Sequence, residues 1–440
     1  MNVVSLSERA GNSRANSGSR PSIIAALDVG TTKICCLIAR VVNIRKPNAA
    51  GKDHQLQVIG MGHQLARGIK NGAVIDMDQA ERAIRAAVDA AERMADVTVE
   101  SVFVNVSGGR PACRGFGAEF AIHGRAVTTA DMAQVLHLAG SRVDPDGRTV
   151  IHSTPIGYTL DGNGGIKDPE GMFGESLGAT LNVIAVDPGP MRNLAVCIER
   201  CHLAVQAFVI APFSSGLSTL VADEKDLGVT CIDMGGGTTG VAIFIDGNMV
   251  FADVVPVGGM HVTTDIARGL STPIAHAERI KALYGSALPS VSDDRELIAV
   301  PLVGERGADT VNKVPKSMLT GIIQPRIEET LELVRDRIRA SGYEHVAGRR
   351  LVLTGGASQM TGARALASSI LDKQVRMGTP APVSGLPEAA KGPAFSVATG
   401  LLRYAMNPDV VAAYAPSALA HRHHGSGYLT RMGRWIRESF

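Results

Sequence analysis

Residues 231–244 read CIDMGGGTTGVAIF. An apolar run ends on Asp233, the chain passes through Gly235, Gly236, Gly237, Thr238, Thr239 and Gly240, and a second apolar run begins at Val241, the pattern of two strands joined by a glycine turn. Bare backbone N–H groups in such a turn can converge on an anion, and threonine hydroxyls add donors. The carboxylate at the strand end can hold a magnesium ion through its water shell. Taken singly, the same letters also describe a glycine-rich hairpin. The turn occurs twice, however: residues 28–33 read DVGTTK, again with a strand-end carboxylate, Asp28, followed by Gly30, Thr31, Thr32 and Lys33. Neither copy fits the P-loop spacing GxxxxGK(S/T) or the dinucleotide spacing GxGxxG.

Outward from both turns the same plan unfolds. Ser22–Leu27, Ile34–Val41 and Gln57–Met61 read as strands around the first turn, and Val229–Asp233, Val241–Ile245 and Asn248–Val255 as strands around the second. After the first set, Asp78-Gln-Ala-Glu81 has the form of a capping box. Ile84, Ala87, Val88, Ala91 and Met94 then keep the helical period of a core-facing stripe. The second copy has a helix over Met318–Arg339, with Leu319, Ile322, Ile323, Ile327, Leu331, Val334 and Ile338 inward and Pro325 expected to kink it. Two copies of one plan predict an α/β protein of two duplicated βββαβα halves with a cleft between them. A third strand, at residues 351–357 (LVLTGGA), ends on Gly355 and Gly356, where a flat ring and its sugar can approach the backbone closely. Between the halves, strand Ser101–Val106, helix Thr128–Gly140 and the glycine-rich stretch DGNGGIKDPEGMFG (161–174) predict a small inserted α+β unit. Helix Met191–Cys201, strand Ala204–Ile210 and the apolar run Ala211–Val221 then restore the α/β rhythm.

In order and spacing, the Asp28 turn, the Asp233 turn, Gly355-Gly356 and the helix start FSVATG (395–400) resemble the phosphate, adenosine and connecting motifs of the actin and sugar-kinase ATPase superfamily. Within it, ERCHLAVQAFVIAPFSSG (199–216), CIDMGGGTTGVAIF (231–244), VGGMHVTTDIARGLSTPIAHAERIK (257–281), LVLTGGASQMTG (351–362) and VATGLLRYA (397–405) resemble the FtsA family, actin-like division proteins of bacteria. The resemblance implies an actin-like ATPase fold with an inserted subdomain IC in place of actin's IB. It divides the chain into a disordered leader (1–21), IA (22–97), IC (98–180), IA (181–226), IIA (227–258), IIB (259–317), IIA (318–393), a final IA helix (394–406), a flexible linker (407–427) and an amphipathic membrane-targeting helix (428–440).

The same resemblance implies ATP and Mg2+ as cofactors. Gly30, Thr31, Thr32, Lys33, Gly235, Gly236, Gly237, Thr238 and Thr239 would hold phosphates, and Gly355, Gly356 and Ala357 adenosine. Glu278 and Lys281 would clasp ribose and adenine, and Asp28 and Asp233 would hold the metal through water. Seen alone, Glu278 and Lys281 are also an ordinary i,i+3 surface pair. One departure concerns turnover: related chaperones carry a glutamate that helps position the attacking water, and actin has a glutamine nearby, where this chain has Ala211. Alanine cannot orient or deprotonate water. The expectation is a slow ATPase at most, with no catalytic residue assigned. The implied partners are FtsZ through IIB, further copies of the chain, and later division proteins through IC.

Composition bounds the alternatives. The 44 Lys+Arg nearly balance 42 Asp+Glu, so no one-signed field draws the chain to nucleic acid, and none is expected as a partner. No run approaches the roughly 18 to 20 apolar residues that span a bilayer, and the expectation is a chain in the cytoplasm. The six cysteines contain no CxxC and are read as reduced core residues. Charge concentrates at the end: beyond the Ala-, Pro- and His-rich stretch after Met406, Leu429, Met432, Trp435, Ile436 and Phe440 share one helical face, with Arg431, Arg434 and Arg437 around the other. The lone tryptophan, Trp435, suits a headgroup boundary, and the arginines suit anionic lipid. A short helix of this kind binds weakly, so many copies side by side would be needed for firm attachment at the septum. A kinase of the same superfamily needs a base in the cleft and has no use for such a tail, whereas a pilus-assembly scaffold shares the clamp and the insertion but not the tail.

Overall fold

The computed structural model describes residues 23–45, 52–304 and 311–406. The chain opens with β1 (Ile23–Val29), β2 (Lys33–Arg45), β3 (Lys52–Leu65), the small hairpin β4 (Ile69–Lys70) and β5 (Ala73–Val74), α1 (Met77–Ala95) and β6 (Ser101–Val106). An insertion follows: β7 (Ala112–Ala121), α2 (Thr129–Ser141), β8 (Thr149–Leu160), β9 (Asn163–Ile166) and β10 (Ser176–Val186). Next, α3 (Pro188–Arg200), β11 (Ala204–Ile210), α4 (Ala211–Thr219) and α5 (Ala222–Leu227) complete the first half. The second half holds β12 (Val229–Met234), β13 (Thr239–Ile245) and β14 (Asn248–Val255). Its own insertion is α6 (Gly259–Gly269), α7 (Ile274–Tyr284), β15 (Leu297–Pro301) and β16 (Val311–Pro315), after which come α8 (Lys316–Ala340), β17 (Arg350–Thr354), α9 (Ala363–Leu371) and β18 (Gln374–Met377). Helix α10 (Ser396–Met406) ends the described chain.

The duplication is visible in the sheets. The first orders its strands β11-β6-β1-β2-β3 and the second β18-β17-β12-β13-β14. In each, the strand that ends on the aspartate is central, antiparallel to its hairpin partner and parallel to the strand on its other side. Asp28 pairs with Cys35 and Asp233 with Gly240, so the two carboxylates occupy matching registers at the carboxyl ends of matching strands, where ligands of open α/β sheets collect. Helices α4 and α10 pack together between the halves, with the Ser214 hydroxyl donating to the Val397 carbonyl (2.8 Å) and that of Ser218 to the Ser396 carbonyl (2.7 Å). Separate apolar clusters fill the outer side of each sheet and the interior of the first insertion.

Several boundaries differ from the sequence reading. Strand β6, expected within the 98–180 insertion, lies in the first sheet between β1 and β11, parallel to both. Its nearly continuous buried run is what an interior parallel strand requires. The insertion therefore runs from β7 to the end of β10, beyond 180. The chain also returns to the first half before 394, since the Val58 N–H donates to the Ser384 carbonyl (2.8 Å). Helix α1 is capped by Asp76, whose side chain accepts from the Gln79 N–H, and not by Asp78. Met94, read as core, is 55% exposed, because Ala95, one position on, fills the last contact against β3. Pro325 lies inside α8, which continues past it, and Ile322 is only partly buried. All six cysteines are free; Cys35, Cys36, Cys197 and Cys231 are buried and Cys113 and Cys201 half-buried. The predicted leader, linker and terminal helix, with Leu429, Met432, Trp435, Ile436, Phe440 and the three arginines among them, lie outside the described residues.

Candidate functional site

The two glycine turns face each other across one cleft of about 720 Å³, lined by Asp28, Gly30, Thr31, Thr32 and Lys33 from one half and by Asp233, Gly235, Gly236, Gly237 and Thr238 from the other. The approach is close enough to decide residue type. A Cβ placed on Gly236 would collide with the Thr32 side chain, and one on Gly237 with Thr31. These glycines are needed for the meeting of the halves as well as for any anion between them. Thr239, expected among the phosphate donors, is fully buried and turns its hydroxyl to the Val257 carbonyl (2.8 Å), away from the cleft. It begins β13, where alternation points it opposite to Thr238.

The cleft floor gathers buried ionisable groups. Burial pushes the Asp28 carboxyl up to about 7, against the pull of Lys33 and helped by the charge of Asp233. Burial likewise raises Asp233 to about 6, opposed by a hydrogen bond from Ser215 and by Lys33. Desolvation lowers the Lys33 ammonium, which Asp28 counteracts. Lys33 also donates to the Ala394 carbonyl and sits 3.3 Å above the Phe395 ring centroid, tying the first turn to the start of α10. Two desolvated carboxylates beside a row of backbone amides supply oxygen ligands that suit a hard divalent cation, with the amides and Lys33 suited to phosphate oxygens.

A second cavity of about 1010 Å³ shares Thr32, Gly236 and Gly356 with the first, so the two adjoin. Its lining brings together Glu278, Lys281 and Ala357, three residues that the family resemblance groups. Lys281, whose side chain is 13% exposed, donates to Glu278 Oε2 (2.7 Å), Thr263 Oγ1 (2.8 Å) and the Gly259 carbonyl (3.1 Å). That anchoring fixes Lys281, while Glu278, with 49% of its side chain exposed, reaches solvent at the cavity rim. Gly355 adopts a φ of +89°, and a Cβ there would strike Asp233 Oδ1, so the third turn needs glycine for both conformation and space. Ala211 and Pro212 line the cleft between the turns, with no ionisable side chain at that position to direct a water.

Sequence reasoning missed four contributors. Ser215, fully buried on α4, donates to Asp233 Oδ2 at 2.6 Å. Asn105, near the end of β6, accepts the Val29 N–H (2.7 Å) and, with Ser107 in the loop that follows, lines the cleft. Thr263 holds both Glu278 and Lys281. Only the serines and threonine near the quoted motifs gave any signal, and buried hydroxyls on amphipathic helices read equally well as packing.

Comparison with known proteins places this geometry. The family profile described as "Cell division protein FtsA" matches residues 230–400, and that described as "SHS2 domain inserted in FTSA" matches residues 108–185, the insertion as the sheets define it. The chain is 46% identical over 422 residues to the cell division protein FtsA of Rhizobium meliloti, covering 96% of each chain. It is 32% identical over 425 residues to that of Escherichia coli, covering 95% of this chain and 98% of the other. Among solved structures, the PilM-PilN type IV pilus biogenesis complex superposes with a TM-score of 0.58 at 15% identity, covering 86% of this chain and 97% of that one. MreB 5 of Spiroplasma citri bound to AMPPNP superposes with a TM-score of 0.51 at 12% identity, covering 89% and 98%. At those identities the likeness shows a shared actin-like fold.

Proposed function

The chain belongs to the FtsA family of cell division proteins, and on that premise we propose that it binds ATP with Mg2+ between its halves. In this reading it self-assembles on the cytoplasmic face of the cell membrane and tethers FtsZ filaments there at the division septum. The observation that carries the nucleotide part is the pair of adjoining cavities between the Asp28–Asp233 floor and the Glu278–Lys281 pair, with two glycine turns that touch only because Gly236 and Gly237 lack side chains. The phosphates take the floor and the ribose and adenine the far end, and the MreB 5 structure with AMPPNP supports nucleotide binding on this fold. Ala211 favours slow turnover, so that the bound state persists and the product is an assembly.

The second insertion supports the partner reading: Leu283, Val291 and Leu297 are 62%, 100% and 61% exposed, an apolar surface that a filament can cover. The first insertion is the surface offered to later division proteins. For the membrane, no helix among the described residues is long and apolar enough to cross a bilayer, and the face of Trp435, Ile436 and Phe440 supplies reversible attachment that a polymer multiplies. Electron microscopy of the chain on anionic lipid monolayers, with and without ATP, tests nucleotide, polymer and membrane together. Ordered arrays on lipid that depend on ATP are expected; a chain indifferent to both would overturn the reading.

A further inference from the structure

The first insertion is covalently part of the first half, yet it is bonded to both. On the near side, the buried His152 of β8 accepts the Ile210 N–H at 2.9 Å, and its ring packs edge-on against Phe213 (5.4 Å between centroids) and Tyr404 (6.2 Å). Ile210 is the last residue before α4, whose first residues line the phosphate end of the cleft and whose Ser215 reaches Asp233. On the far side, Asn182 of β10, 2% exposed, donates to the Met249 carbonyl of β14 at 2.9 Å, while its own carbonyl oxygen accepts from the Cys113 thiol at 2.9 Å. Strand β14 is the edge of the second sheet, and its free side faces the insertion. Lys167 and Asp226 pair at 3.3 Å beside this seam.

We propose that the first insertion is a strap across the hinge, so that closure of the cleft over nucleotide and seating of the insertion on β14 form one equilibrium. His152 and Asn182 are its positioning residues. In this structure the two glycine turns touch while His152 and Asn182 hold the insertion against Ile210 and β14. Linkage then requires that nucleotide tighten the seam and that loosening the seam weaken nucleotide by the same factor.

This rests on the nucleotide reading above, and the test separates the two. Hydrogen exchange of the full-length chain is followed at the backbone amides of 180–183 and 248–251, with and without MgATP, while ATP uptake is measured independently by filter binding. The strap predicts slower exchange in both segments when MgATP is bound, and MgATP affinity reduced about fivefold or more in Asn182→Ala. A chain that binds MgATP with unchanged exchange at both segments overturns the strap and leaves the nucleotide site standing. A chain that takes up no ATP overturns the site and the strap with it. Should Asn182→Ala fail to fold, exchange in the unsubstituted chain decides.

Discussion

Ser215, on a helix of the first half, donates a 2.6 Å hydrogen bond to Asp233, the strand-end carboxylate of the second. It is a direct side-chain bond across the hinge into the floor of the cleft, made by a residue with no exposure to solvent. A hydrogen bond to a charged group contributes about 1.5–3 kcal/mol. Ser215→Ala is therefore expected to lower MgATP affinity about tenfold or more, with a smaller loss for ATP in EDTA, since the bond serves the carboxylate proposed to face the metal. Isothermal titration with and without magnesium checks this, and equal losses in both would contradict it.

Gly236→Val places a branched side chain into Thr32, and Gly237→Val one into Thr31. Both substitutions wedge the halves apart. Each variant is expected to retain its helical circular dichroism and to lose detectable ATP binding, whereas Val at Gly189, where a Cβ meets nothing within 4 Å, leaves binding unchanged.

Lys281→Met removes the donor that fixes Glu278, Thr263 and the Gly259 carbonyl at the second cavity. The phosphate floor is untouched. ATP affinity is expected to fall about tenfold, the loss of one or two charge-assisted hydrogen bonds, while inorganic tripolyphosphate competes as well as before. A parallel loss for tripolyphosphate would place Lys281 on phosphate instead of the nucleoside.

Burial holds the His152 imidazole down to about 3, from an ordinary value of 6.5. Between those values the unfolded chain binds the extra proton, so the stability this residue allows is full above about pH 6.5 and is lost as pH falls towards 3. Asp28 and Asp233 act in the opposite sense: with carboxyls raised by burial, they favour the folded chain most at low pH and cease to do so as pH rises through about 6 to 7. Comparing urea midpoints of the unsubstituted chain and His152→Gln isolates the histidine. Its advantage over the variant is expected to be larger at pH 7.5 than at pH 5; a difference independent of pH would show that His152 is not buried neutral.

The parts of the fold that were legible in sequence are those fixed by local chemistry. The two strand-end aspartates, their turns and the strands beside them follow from alternation and glycine, and β11 and β14 lie where the letters put them. What failed depended on tertiary partners. Strand β6 has no local mark that separates an insertion strand from a parallel strand of the main sheet, and only its neighbours β1 and β11 decide it. Thr239 follows Thr238 in the same turn, but the pleat sends it to the opposite face. Ser215 is one of several small residues in APFSSG, and nothing local says that Asp233 lies within reach.

The proposed role is to join FtsZ filaments to a membrane through a nucleotide-bound assembly. Its decisive measurement is co-sedimentation of FtsZ filaments with vesicles of anionic lipid, using the full chain and a chain lacking residues 426–440, each with MgATP. FtsZ is expected to pellet with vesicles when the full chain is present and to stay in the supernatant with the shortened one. FtsZ left in the supernatant by a full-length chain that itself coats the vesicles, or carried down equally by the shortened chain, would contradict it.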